Sequence, residues 1–384
     1  MKMLTRKFLL NLLLFGVVFV VCLKVGDVVV GGVLDIKKSQ NISLRNVVLR
    51  EPAPNYARLM TPDQETLASS DRMEAKSVHY RVDQDGFILG PNSSGDKVDM
   101  VFVGGSTTEC AYVDEGLRFP FLVSTLLKKT GGEQVRTLNA GYSGNNAMHS
   151  LIVILAKVLP YRPKFIVVMH NINDLSLLNK SGSYWLAPQS RALVQYSNKQ
   201  RISMLSSLSL AVKDWLIPNS WQLVKPYVGK WFVPKLVDEF ADYRSVEVDS
   251  VPFEESSRQF YSALKTIVFT ARAWGIEPIL MTQFNRLQSD DVFVMNHSGM
   301  SPDEYGKFVG RYKEFNEIVR NVAREEKVKL IDLDREVPRS SQYMVDSVHL
   351  NNEGSMFVAN VIARDISHNF AGFVTQSPRE DTSP

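Results

Sequence analysis

The sequence predicts an α/β protein built on a doubly wound, mostly parallel five-stranded sheet with helices on both faces. Three observations carry that expectation. From about residue 99 onward, short apolar runs alternate with segments of helical period. One of these runs, Phe165 to Met169, is apolar throughout, as a central parallel strand covered on both faces must be. Polar motifs follow four of the five runs, so they fall together beyond the carboxyl ends of the strands, where ligands bind in such sheets.

The elements follow in order. Val101, Phe102 and Val103 form the first strand, and Gly104-Gly105 turns the chain tightly into a helix that begins near Ser106. Leu117, Phe121, Leu122 and Leu126 give a helical stripe that stops at Gly131-Gly132. Val135 to Ala140 is the second strand and runs into Asn139-Ala-Gly-Tyr-Ser-Gly-Asn145. Its helix carries Met148, Leu151, Ile152, Leu155, Val158 and Leu159 on one face and ends at Pro160, with His149 off the stripe and read as solvated or supporting. Phe165 to Met169 delivers His170-Asn-Ile-Asn-Asp174. Later come a helix with Phe260, Leu264, Ile267 and Val268 inside, capped by Gly275, and the fourth strand, Pro278 to Thr282. A helix with Phe308, Tyr312, Phe315 and Val319 leads to the fifth strand, Val328 to Leu333, and the last helix starts near Asn352.

The segments outside this core read differently. Lys2, Arg6 and Lys7 precede an apolar run from Phe8 to Leu23, and a second apolar patch lies between Val28 and Leu34. Residues 1–34 are expected to be a membrane anchor, with a signal peptide cleaved near Gly31-Gly32 as the alternative. In either case the basic residues favour the cytoplasmic side and place the rest of the chain across the membrane. Residues 35–98, polar and broken by Pro52, Pro54, Pro62 and Pro91, read as a stalk and a small β-hairpin region. The main domain is expected over 99–373. Within it, 181–252 is a helical insert carrying Trp185, Trp215, Trp221 and Trp231, and 374–384 is a polar tail expected to be disordered.

Composition excludes some functions. Of 384 residues, 45% are hydrophobic and 22% charged, enough for a sizeable core. Lys+Arg 44 against Asp+Glu 41 leaves a net charge of +3 with no basic block, which argues against a nucleic-acid partner. Cys22 and Cys110 are the only cysteines and suggest neither a disulfide framework nor a metal site. Gly104-Gly105-Ser106-Thr107 lacks the second glycine and lysine of a phosphate loop. No cofactor and no metal are expected.

Ser106 after the first strand, and Asp346-Ser-Val-His349 after the fifth, are the parts of a serine hydrolase. His349 would take the proton from Ser106 and Asp346 would hold the imidazole in the productive tautomer. The N–H of Ser106, the N–H of Gly141 and the side-chain amide of Asn173 would meet the oxyanion. Blander roles fit the neighbours: Asp174 as a brace for its loop, His170 and His297 as supporting or surface groups.

The sequence resembles the SGNH (GDSL-type) hydrolase superfamily, on Gly105-Ser106, Gly141 in Asn-Ala-Gly, Asn173 in Asn-Ile-Asn-Asp and Asp346-x-x-His349, over about Met100 to Phe370 apart from the insert. The resemblance implies a three-layer α/β/α, flavodoxin-like fold and metal-free ester chemistry. Two positions depart from the usual pattern. The first block is Gly-Gly-Ser-Thr, a form similar to a membrane-associated bacterial branch. Asn171 stands where glycine is usual, which a left-handed backbone would allow. The implied function is a membrane-anchored serine esterase of the bacterial inner membrane. Its site would face the periplasm and remove O-acyl groups, acetyl above all, from polysaccharide. An O-acyltransferase, a lipid esterase and a degenerate scaffold or binding domain are the alternatives.

Overall fold

The structure, a computed structural model, describes residues 2–33, 47–91, 98–127, 135–187, 191–193, 195–196 and 252–369. Most of the expected insert at 181–252, with Trp215, Trp221 and Trp231, lies outside these residues, as do the tail at 374–384, much of the expected stalk and the Gly131-Gly132 helix stop. The chain divides into two units, Met1–Val47 with Tyr196–Asp238, and Val48–Gln195 with Glu239–Pro384.

In the first unit, Lys2–Val33 is one helix, α1. Its side chains are described from Leu14 to Val29, and Leu14, Phe15, Val18, Phe19 and Val25 among them are exposed. Among the described residues, no helix is long and apolar enough to cross a membrane.

The second unit opens with β1 (Ala57–Met60), a short helix α2 (Gln64–Ala68) and β2 (Val78–Arg81), the two strands pairing antiparallel. A turn at Gly86, with φ +83°, then brings Ile88 opposite Val82 and beside Asn139. Through Ile88 this region joins the edge of the main sheet.

That sheet has five strands: β3 (Met100–Gly104), β4 (Thr137–Asn139), β5 (Phe165–Met169), β6 (Glu277–Met281) and β7 (Lys329–Ile331). Their order is β4-β3-β5-β6-β7 and every pairing is parallel. The order reverses between β3 and β5, which is where a doubly wound sheet opens a crevice. Gly104, Met169 and Met281 lie side by side in register, so the three central strands end together.

Alternation along the strands builds two cores, because successive side chains point to opposite faces. Val101, Val103, Ile166, Val168 and Leu280 enter one core, shared with Phe260, Ile267, Phe315 and Val319. Met100, Phe102, Val167, Ile279 and Met281 enter the other, shared with Phe119, Val123, Val358 and Ile362. The first face is covered by α5 (Ala147–Val153), α6 (Ile172–Ser181), α7 (Phe253–Ala273) and α9 (Pro302–Glu325), and the second by α4 (Phe119–Leu126) and α11 (Asn352–Asn369). The short helices α3 (Ser106–Glu109), α8 (Val292–His297) and α10 (Leu333–Glu336) follow strand ends or loops.

Local signals explain the helix ends. Ser301 caps α9 through a reciprocal bond pair with Glu304, followed by Pro302 at the first helical position. Gly275, with φ +71°, ends the turn after α7 in the left-handed conformation a side chain resists. After α5 the chain continues as a π-turn segment, Ile154–Val158, and a 3-10 turn, Leu159–Tyr161, so the expected single helix up to Pro160 is three helical pieces.

Candidate active site

Ser106 opens α3 immediately after the glycine pair that ends β3. The Gly105 backbone, φ −89° and ψ −154°, is open to other residues; close approach is what demands glycine there. A Cβ on Gly105 would lie 2.3 Å from the Asn173 Nδ2, and one on Gly104 would lie 2.2 Å from the Thr108 Oγ1. The turn is therefore pressed against Asn173 on one side and its own helix on the other.

The Ser106 Oγ is 2.8 Å from the His349 Nε2, and the His349 Nδ1 is 2.7 Å from the Asp346 Oδ2. The second carboxylate oxygen, Oδ1, accepts from the N–H groups of Val348 and His349, both at 2.8 Å. With Asp346 accepting from Nδ1–H, Nε2 is the acceptor for the serine hydroxyl. Burial pushes the Asp346 carboxyl up, but the His349 imidazole and these two N–H groups outweigh it, and the pKa lies below the ordinary carboxylate value. Asp346 thus stays ionised where the imidazole needs a counter-charge.

The expected oxyanion donors separate into two groups. Asn173 sits in the first turn of α6, its Nδ2 donating to the Asn145 carbonyl at 2.9 Å and lying against Gly105. The Ser106 N–H, at the start of α3, has no acceptor within its helix. Gly141 differs from the expectation: its N–H donates to the Asn139 Oδ1 at 2.9 Å. Its lack of a side chain serves close packing, since a Cβ there would meet the backbone of Thr108 and Glu109 at 2.6–2.8 Å. Gly141 brings the loop after β4 up to α3, and an oxyanion would have to share its N–H with Asn139.

Asn171 is not left-handed. Its φ of −170° is extended backbone, and its side chain anchors the loop by donating to the Tyr312 carbonyl at 3.0 Å and the Asn316 Oδ1 at 2.9 Å. His149 is buried rather than solvated. It closes a capping box with Asn146 at the start of α5, and burial pushes its pKa down to about 3. His170 is likewise buried, 2.8 Å from the Ser150 Oγ, with its pKa driven down to about 3 by burial. Asp174 braces the site from inside, its Oδ1 accepting from the Ala147 N–H at 2.8 Å and the Tyr184 hydroxyl at 2.6 Å. Burial pushes its carboxyl up to about 7 against those two bonds. His297 is exposed.

Two supporting residues have no local signature in the sequence. Gln283, just beyond β6, donates to the Thr107 Oγ1 at 2.8 Å and accepts from the Ile172 N–H at 2.8 Å and the Tyr312 hydroxyl at 3.0 Å. It therefore ties the neighbour of Ser106 to the neighbour of Asn173. Glu109, buried in α3, accepts from the Tyr80 hydroxyl at 2.7 Å and from the Ser143 N–H and hydroxyl at 2.7 and 2.5 Å. Among the described residues, no group of His, Cys, Asp and Glu is placed to hold a metal ion.

The sequence model of the GDSL-like lipase/acylhydrolase family matches residues 102–356. The chain belongs to this family. As a GDSL-like hydrolase it is a serine-type ester hydrolase. A comparison with curated proteins gives no match. Among solved structures, this GDSL-like hydrolase is similar to Axe2, an acetylxylan esterase from Geobacillus stearothermophilus, at 15% identity and a TM-score of 0.40 over 71% of this chain and 96% of that one. It is also similar to the acetyl xylan esterase AlAXEase, at 16% identity and a TM-score of 0.40 over 70% and 100% of the two chains. LAE5, an α/β hydrolase from the metagenome of Lake Arreo, Spain, matches at 15% identity and a TM-score of 0.39 over 71% and 96%.

Proposed function

We propose that this GDSL-like hydrolase cleaves O-acyl esters through an acyl-enzyme on Ser106, with His349 as general base and acid and Asp346 as its orienting carboxylate. The continuous chain of bonds from the Asp346 Oδ2 through His349 to the Ser106 Oγ, at 2.7 and 2.8 Å, is the observation that carries the reading. The Ser106 oxygen attacks the ester carbonyl as its proton passes to the His349 Nε2, and the Asp346 charge stabilises the imidazolium. The oxyanion meets the Ser106 N–H and the Asn173 amide, donors fixed before charge develops. Collapse of the tetrahedral intermediate releases the alcohol, protonated by His349. Water, activated by the same imidazole, then hydrolyses the acyl-enzyme and regenerates the serine.

The setting is part of the proposal. Lys2, Arg6 and Lys7 ahead of Phe8 to Leu23, together with the exposed apolar side chains of α1, support attachment to a bacterial inner membrane with the hydrolase unit on the outer side. An esterase so placed meets O-acylated polysaccharide, which is the substrate class proposed.

A fluorophosphonate probe tests the chemistry. It is expected to label the protein at Ser106, with labelling lost in Ser106→Ala and strongly reduced in His349→Ala. Labelling that survives Ser106→Ala would remove Ser106 from the role of nucleophile.

A further inference from the structure

The loop that carries Asp346 and His349 closes on itself, the Val345 N–H donating to the His349 carbonyl at 2.8 Å and Met344 standing opposite Leu350. Two of its carbonyls are held from outside: Ser347 by the Arg286 N–H at 2.8 Å, and Val345 by the Asp71 N–H at 3.0 Å. The two donors come from distant parts of the chain, Arg286 from the stretch after β6 and Asp71 from the loop after α2. Their side chains then join each other. The Arg286 Nη1 donates to the Asp71 Oδ1 at 2.9 Å and its Nη2 to the Asp71 Oδ2 at 2.6 Å, a two-pronged ion pair in which the Arg286 side chain is only 6% exposed. Asp291, which caps α8, accepts from the Arg286 Nε at 2.5 Å and Nη2 at 3.2 Å. A ring of bonds thus runs from Val345 through Asp71 and Arg286 to Ser347, the two residues that flank Asp346.

We propose that Asp71 and Arg286 are positioning residues for catalysis: as a pair they fix where the loop bearing Asp346 and His349 stands against Ser106. The proposal rests on Ser106 being the nucleophile. Asp346 and His349 share two bonds inside one loop, so a shift of that loop carries both of them together. The 2.8 Å bond from the His349 Nε2 to the Ser106 Oγ is different, because it spans two elements and depends on what holds the loop in place. The ion pair supplies that hold by keeping the two backbone donors at the spacing of the carbonyls on either side of Asp346. Arginine is required for this, since its planar fork meets both carboxylate oxygens at once and a lysine ammonium cannot. Asp71 lies ahead of the residues matched by the family model, 102–356, so the region before the hydrolase core contributes to the site. A reacting group displaced by about 1 Å loses on the order of 100-fold in rate, so a small movement of the loop is legible in kcat.

The test uses the full-length protein in detergent solution with 4-nitrophenyl acetate, and counts working sites by fluorophosphonate labelling carried to completion. Turnover is then expressed per labelled site, which removes any loss due to unfolded protein. Asp71→Ala and Arg286→Lys should each lower kcat per labelled site by about 10- to 100-fold, with KM changed by less than about threefold. Asp71→Glu, which keeps the carboxylate, should recover kcat to within about threefold of the wild type. Asp71→Asn should not recover it, because it turns an amide NH₂ toward the guanidinium. The Asp71 side chain is 21% exposed, so Asp71→Asn is also the milder variant and carries the test if Arg286→Lys does not fold. A wild-type kcat per labelled site in Asp71→Asn, or a loss in Asp71→Ala confined to the labelled fraction or to KM, would reduce the pair to a role in folding or binding and overturn the proposal. Asp71→Glu as slow as Asp71→Ala would overturn it too. Each of these leaves Ser106 as the nucleophile, whereas wild-type protein that turns over the ester without labelling at Ser106 would overturn that reading and the positioning role with it.

Discussion

Replacing Gly105 by alanine should damage catalysis far more than folding. The backbone there accepts an alanine, but the new Cβ would lie 2.3 Å from the Asn173 Nδ2 and 3.1 Å from the Asn145 carbonyl. Ordinary van der Waals contact requires the amide to retreat by about 1 Å. That retreat breaks the 2.9 Å bond to Asn145 and moves the proposed oxyanion donor away from Ser106. The amide lies at the end of a side chain that can turn, so stability should fall by no more than about 1 kcal/mol. Losing one preorganised donor costs about 100- to 1,000-fold in kcat, or ~2.7–4 kcal/mol of transition-state stabilisation. Asn173→Ala should cost a similar factor. Because both substitutions remove the same donor, the double variant should be no slower than either single one. Steady-state kinetics on the three variants, with denaturant unfolding as the control, make the cycle complete. Multiplying effects, with the double variant slower by about 10⁴-fold or more, would show that Gly105 does not act through Asn173 and would refute the reasoning.

Other expectations follow from neighbouring contacts. Gln283→Leu strands the Ile172 N–H and the Thr107 hydroxyl, while the Tyr312 hydroxyl keeps the Phe284 carbonyl at 3.0 Å, and should destabilise the fold by about 2 kcal/mol or more and lower kcat, read by denaturant unfolding and ester turnover. Asp174, with its folded pKa raised to about 7, is protonated in the fold where the unfolded chain has already ionised; stability should fall as pH rises from about 4 to 7, by up to ~1.4 kcal/mol per unit, and level off above. Asp174→Asn can keep the bonds from Ala147 and Tyr184 and should flatten that slope in unfolding titrations; an unchanged slope would mean another group is responsible. Asp346 has the opposite sign: its lowered pKa gives stability present above the ordinary carboxylate value and lost as pH falls through the folded value, so Asp346→Asn should reduce both turnover at neutral pH and the acid sensitivity of unfolding.

The sequence carried the sheet and the order of the four motif loops because both are local. Phe165 to Met169 has strand composition along its whole length, and Phe308, Tyr312, Phe315 and Val319 mark one face of a helix. Supports that cross the fold were not legible. Gln283 and Thr107 stand 176 positions apart, and nothing beside Gln283 distinguishes it from any polar residue after a strand. Glu109 and Tyr80 meet in the same way across 29 positions. Gly141 was recognisable as a glycine with a purpose, but that its N–H meets the Asn139 side chain depends on a rotamer that no spacing encodes. Asn171 misled for a related reason: its tolerance for a left-handed backbone suggested one role, while its amide serves another by reaching α9.

The central claim is that Ser106 carries the acyl group during turnover. Rapid acid quench of the protein during hydrolysis of a 4-nitrophenyl ester, followed by peptide mass spectrometry, measures this directly. The account predicts that the acyl mass is found on the peptide containing Ser106 and accumulates in His349→Ala only as far as residual attack allows. An acyl group on another residue, or continued turnover by Ser106→Ala at the wild-type rate, would contradict it.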